Sequence, residues 1–253
     1  MRPATPVNDD EPTRVSRVAA FALVFATVVV AYVAFREGAG FLPLPHNITK
    51  LLLWLVIPLA VLIVQTRGDV GAALSEMGFR RLRVSALLPG LAALLAAGGA
   101  LIAQGASLPS NFDVAALALS AIVAPLAEEL LFRGYLVNGL VASGLGPVRA
   151  FVVGGLLFGL AHLGNVWHAD PSTMVLEVTI TAAGGMLFGW TMLRFEGAVV
   201  AAMAFHAGLN LPWDAFGVDS TAIGGAAGNV ARAAGIAAGI LTVLLLTRRP
   251  KLR

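Results

Sequence analysis

Apolar positions in this chain run in long blocks, separated by short polar connections, instead of alternating or recurring on one helical face. The first block, Val18 to Phe35, would at about 1.5 Å per residue cross most of a hydrocarbon core about 30 Å thick. Further blocks follow at roughly Ile48 to Gln65, Val84 to Gln104, Val114 to Leu140, Pro147 to Leu163, Met174 to Leu193, Ala198 to Trp213 and Ile223 to Thr247. The pattern predicts an all-α, polytopic membrane protein with about eight transmembrane helices. Residues 1–17 are polar and proline-containing and are expected to be a disordered tail, 18–247 one transmembrane domain, and 248–253 a basic tail. No small-residue cleavage site follows the first block, which therefore reads as a retained span and not as a signal peptide.

Composition strengthens this picture. The 253 residues are 58% hydrophobic and 12% charged, with a mean hydropathy of +0.86, beyond the range of ordinary soluble domains. There is no cysteine, which excludes disulfides, thiolate metal sites and a cysteine nucleophile. The net charge of +3 does not point to nucleic acid, because the basic residues lie between apolar blocks and form no single patch. They serve better to orient the spans. With eight crossings, Arg2, Arg14, Arg17, Arg67, Arg80, Arg81, Arg83, Arg149, Arg194, Arg248, Arg249, Lys251 and Arg253 fall on the amino-terminal side, and Arg36 and Lys50 on the other. The excess of positive charge places both termini in the cytoplasm, and the expected setting is a bacterial cell membrane.

Against this background the segment "LAEELLFRGYL" (126–136) stands out. Ionisable residues inside a membrane cost a few kcal/mol or more each and face a bundle interior or a wet cavity. Glu129 and Arg133 are four apart, the spacing at which a carboxylate and a guanidinium meet on a helix. Glu128 is rotated about 100° away, which leaves it a spare carboxylate and a candidate general base; the alternative is that both glutamates clamp Arg133. Phe158 and His162 in "FGLAH", and His206 and Asn210 in "HAGLN", are likewise four apart on two later spans. Together these groups suit peptide hydrolysis: a carboxylate takes a proton from water, a histidine orients that water, and His206 with Asn210 donates to the oxyanion. A zinc site using Glu128, His162 and His206 needs nearly the same residues. Spacing alone leaves both open, while "HExxH", "GxSG" and "GxGD" signatures are absent.

"EELLFR", "FGLAH" and "HAGLN" resemble, in order and separation, the three motifs of the CPBP family, also called ABI, which includes the type II CAAX prenyl endopeptidases. The resemblance covers roughly residues 110 to 212. It implies an eight-helix intramembrane glutamate protease without a cofactor, in which Glu128 activates water, His162 assists, His206 and Asn210 form the oxyanion hole, and Glu129, Arg133 and Phe158 support the site. It also implies a membrane-associated peptide or protein substrate, possibly prenylated. The competing readings are a zinc-dependent membrane protease and a non-catalytic immunity, scaffold or transport protein.

Smaller expectations complete the reading. The glycines of the later spans pack helices. His46, His168 and Asp170 are solvated, Glu177 is interfacial, Arg232 snorkels outward, and Trp54, Trp167, Trp190 and Trp213 form an aromatic belt. A fourth span starting near Val114 and a fifth near Pro147 place Glu128 and His162 about 21 to 23 Å from opposite faces, at different depths unless the helices tilt or the fourth, continuing to Leu140, is displaced inward.

Overall fold

The computed structural model describes residues 14–38, 43–80, 83–163, 170–219 and 221–247. Nine α-helices and no strand occur among them: α1 Arg14–Gly38, α2 His46–Gln65, α3 Val70–Glu76, α4 Leu88–Ala103, α5 Val114–Ala142, α6 Pro147–His162, α7 Pro171–Arg194, α8 Val199–Ala215 and α9 Ala226–Leu246. The all-α membrane architecture expected from the sequence is what is found. Six helices, α1, α2, α5, α7, α9 and α4 with the turn before it, are long and apolar enough to cross a membrane. Two of the expected eight, α6 and α8, are only 16 and 17 residues long. The first helix begins at Arg14, four residues earlier than the apolar block, because helix propensity outlasts hydrophobicity at its polar end.

Local chemistry sets the helix ends. Asp69 caps α3 by accepting from the Ala72 amide, and Asp113 caps α5 by accepting from Ala115 and Ala116, satisfying amide donors that a first turn leaves unpaired. Asp170 does the same for α7. The Ser172 and Thr173 hydroxyls hold its carboxyl below the usual carboxylate range. At the end of α5, Gly144 takes φ +96° while the Leu145 amide donates to Leu140, a glycine-terminated stop that turns the chain into α6.

α5 is the centre of the bundle, packed by α1, α2, α6, α7 and α8. Residues 127–137 are all buried, as expected of a helix enclosed on every side. It is not a regular α-helix: π-helical turns occupy Leu119–Val123 and Leu130–Val137. Pro125 follows the first of them, and a proline removes the amide its upstream carbonyl would use; a widened turn accommodates that loss. Outward-facing valines and leucines such as Val64, Leu95, Val114 and Val175 give the bundle an apolar surface suited to lipid.

The connections gather at two ends. At one, Arg80 and Arg83 reach Glu196, Asn138 reaches the Gly197 carbonyl and Arg194 reaches Thr247. At the other, Gln104 donates to Ala227 and Glu177 accepts from the Ala222 amide. The first is called the basic end below.

Candidate active site

Two adjacent carboxylates on α5 point to different partners. Glu129 and Arg133, both with no exposed side-chain surface, pair at 3.1 Å, as their spacing predicts. The guanidinium lies over Phe158 at 4.2 Å and near Phe188 at 5.5 Å, so aromatic faces take up charge that hydrogen bonds leave over: the contact with Glu129 lacks hydrogen-bond alignment, and Nε, Nη1 and Nη2 have no hydrogen-bond partner among the described residues. Glu128 is not the spare carboxylate expected. Its Oε1 is in contact with Nζ of Lys50 from α2, a residue that hydropathy had placed at the membrane edge.

The histidines close around this pair. Nδ1 of His206 lies 2.8 Å from Oε1 of Glu129, and its Nε2 lies 3.9 Å from Oε2 of Glu128. An ionised carboxylate only accepts, so Nδ1 of His206 carries the hydrogen. The ring stacks on Phe188 with centroids 4.5 Å apart. His162 places Nδ1 2.8 Å from the Phe158 carbonyl; a carbonyl also only accepts, so Nδ1 is the donor and Nε2 is left for another partner. Phe158 meets His162 edge-on at 4.5 Å, His206 at 6.1 Å and Phe132 at 5.2 Å, and so touches most of the constellation.

Glu128, Phe158, His162, His206 and Asn210 all line one cavity of about 520 Å³ between α5, α6, α7, α8 and α9. The expected mismatch in depth is absent. α5 runs on to Ala142, which lies fourteen residues beyond Glu128, and His162 lies fifteen residues beyond Pro147, the start of α6. The two groups are therefore each about 21 to 22 Å from the shared basic end at 1.5 Å per residue. Counting from the wrong end of a helix longer than one bilayer created the discrepancy.

Glu177 and Arg232, expected at the interface, line the same cavity. Glu177 is buried and accepts from Ala222 at 2.9 Å, while Arg232 folds inward over Trp213 at 3.4 Å and donates to the Ala222 carbonyl. Trp54 and Trp213 are buried, with the Trp54 indole donating to the Ala31 carbonyl inside the bundle and that of Trp213 to the Asp219 carbonyl in the α8–α9 connection. His46 packs against Phe35 at 4.6 Å beside Lys50. Trp167 and His168 lie outside the described residues. Sequence reasoning missed Lys50 and Phe188. A lysine opening an otherwise uncharged span was a signal for the first, and nothing distinguished the second.

Residues 109–212 match the family described as type II CAAX prenyl endopeptidase Rce1-like. The match opens just before α5 and closes within α8, taking in all seven residues singled out by motif. This segment is similar to the type II CAAX prenyl endopeptidase family. No curated protein matches the chain. The family is one of membrane endopeptidases, the apolar helices make the chain a multi-pass membrane protein, and the matched helices form the cavity together with α9. Among the described residues no three His, Cys, Asp or Glu side chains are arranged to hold a metal ion; Glu128, His162 and His206 share a cavity without converging on a common point.

Proposed function

We propose that the protein is an intramembrane endopeptidase that hydrolyses a membrane-associated, prenylated CAAX-like peptide with water activated by Glu128 and no resident metal. The observation that carries the reading is the meeting of Glu128, His162, His206 and Asn210 from three helices in one cavity. Oε2 of Glu128 takes a proton as the water oxygen attacks the scissile carbonyl. With Nδ1–H on the Phe158 carbonyl, Nε2 of His162 is the acceptor that orients the same water. The carbonyl oxygen becomes an oxyanion facing the Asn210 amide, which has no hydrogen-bond partner among the described residues, and Nε2 of His206. Since Nδ1 of His206 already donates to Glu129, the ring must be an imidazolium to donate from Nε2 as well; Glu129 at Nδ1 and the oxyanion at Nε2 supply the compensating charge. Collapse of the intermediate breaks the C–N bond, and the proton held by Glu128 passes to the leaving nitrogen, giving a new carboxylic acid and a new amine, which separate as carboxylate and ammonium.

The test is single-turnover cleavage of a prenylated CAAX peptide, carrying a fluorophore and quencher, in proteoliposomes, with binding measured separately. Glu128→Gln keeps the shape but accepts no proton, and is expected to lose about 10²- to 10⁴-fold in rate with binding nearly unchanged. Asn210→Ala is expected to lose about 10²- to 10³-fold, in kcat and not in binding. A Glu128→Gln protein that cleaves at the wild-type rate rejects the mechanism, and wild-type protein that binds the peptide without cutting it favours a non-catalytic role.

A further inference from the structure

Lys50 is the single charged residue of α2, "HNITKLLLWLVIPLAVLIVQ". One turn from the helix start, it has the reach to extend its ammonium to the water at that end, as lysines near span ends do. It turns inward instead. Its side chain is 14% exposed and crosses the face of Trp54 at 4.8 Å to meet Oε1 of Glu128. The helix that carries it is fixed on both sides of the lysine: Asn47 donates to the Leu119 carbonyl in the first π-helical stretch of α5, and Trp54 donates to the Ala31 carbonyl of α1. Fifteen residues separate Lys50 from Gln65 at the basic end of α2. That is about 22 Å, the depth already found for Glu128 and His162.

The consequence is an asymmetric carboxylate. Oε1 of Glu128 is held by Lys50, whereas Oε2 faces His206 and the large cavity. A carboxylate free to rotate about its last bond would exchange these atoms. On the far side of Glu128 a second cavity of about 60 Å³ is lined by Arg36, His46 and Lys50, together with Glu128 and His162. Of these three basic residues Lys50 is the one whose nitrogen reaches the carboxylate, while Glu129 and Arg133 on α5 pair with one another, and His162 and His206 approach from α6 and α8.

We propose that Lys50 is a positioning residue for hydrolysis: it pins Oε1 of Glu128 so that Oε2 is presented to the water as the proton acceptor. The proposal rests on the peptidase reading given above. It needs only the charge and reach of the side chain, because pinning is a matter of orientation and charge compensation inside the bundle.

Two readouts separate this role from simple packing. In the proteoliposome assay with the prenylated CAAX peptide, Lys50→Met is expected to lower kcat by about 100-fold, the scale of a misplaced reacting group, with KM within about twofold; Lys50→Arg, which keeps the charge and can reach Oε1, is expected to recover most of the loss. Independently of any substrate, the infrared carboxylate band assigned to Glu128 by its disappearance in Glu128→Gln is expected to shift in Lys50→Met and to return toward its original position in Lys50→Arg. If Lys50→Met does not fold, Lys50→Gln is measured in its place. Unchanged kcat, or a Glu128 band that does not move, overturns the assignment. If wild-type protein leaves the peptide uncut although the band shifts, the peptidase reading fails and the positioning role fails with it, leaving Lys50 and Glu128 as a structural pair.

Discussion

At the scale of single residues, the largest fully buried side chain among the described residues is a cation, Arg133. Its charge is met by one carboxylate oxygen and two aromatic faces, and that same oxygen, Oε1 of Glu129, also receives Nδ1 of His206. Arg133, Glu129 and His206 thus form a chain in which an arginine behind the cavity wall sets the orientation of a histidine that lines it. Removing one member of a buried pair strands the other at a cost of roughly 3 to 5 kcal/mol. Arg133→Ala is therefore expected to lower both folded yield in detergent and the thermal midpoint, and wild-type values for both would show that the guanidinium does not hold Glu129. The spacing of four made the Glu129 and Arg133 pair legible, since helix geometry fixes neighbours on one helix. The contacts Glu128 makes with Lys50 and Glu129 with His206 span 78 and 77 residues of chain. They depend on which helices pack together, and no periodicity in the sequence carries that information.

At the scale of elements, close approach of backbones brings the site helices together. A Cβ placed on Gly208, inside the "HAGLN" motif, would lie 2.2 Å from the carbonyl oxygen of Gly90 on α4, and one on Gly90 would lie 2.1 Å from that of Ala204. The α6–α7 contact is built in the same way, with a Cβ on Gly185 meeting the Cα of Gly155 at 2.8 Å and Nη2 of Arg133 at 3.0 Å. In a membrane, where apolar burial gives helices no special preference for one another over lipid, such approaches are a main source of packing. That the glycines pack helices was legible; the partner of each was not, and neither were the π-helical turns of α5. Gly208→Ala must push α4 and α8 apart, and overpacking of this kind costs roughly 1 to 3 kcal/mol. The expected result is a lower thermal midpoint together with slower cleavage, because His206 and Asn210 lie two residues to either side. Gly99→Ala, with nothing within 4 Å of the new methyl group, is the matched control. Equal midpoints for the two variants would mean that the α4–α8 approach contributes little.

For the molecule as a whole, the number of crossings turns on α6 and α8. At 16 and 17 residues they span about 24 to 26 Å, less than a hydrocarbon core of about 30 Å, although thinning and flanking side chains absorb mismatches of this size. With eight crossings the α7–α8 turn lies on the same side as the α5–α6 turn; with six, α7 runs the other way and the two turns lie on opposite sides. Asn138, near the basic end of α5, donates to the carbonyl of Gly197 in the α7–α8 turn at 3.5 Å, and Gly78 accepts from the Val199 amide at 3.1 Å. These contacts bring the two turns to one end of the bundle, as expected of the eight-crossing arrangement that the distribution of arginines favours. A chain without cysteine gives a clean background for testing it with a membrane-impermeant maleimide on sealed vesicles of defined orientation. Ser75→Cys, Gly146→Cys and Glu196→Cys are expected to label from one side, and Ser110→Cys and Ser172→Cys from the other. Six crossings would exchange the labels at 172 and 196 and leave those at 75, 110 and 146 in place. In that event the short helices would be re-entrant, and the common depth of Glu128 and His162 would have to be rebuilt from a different topology.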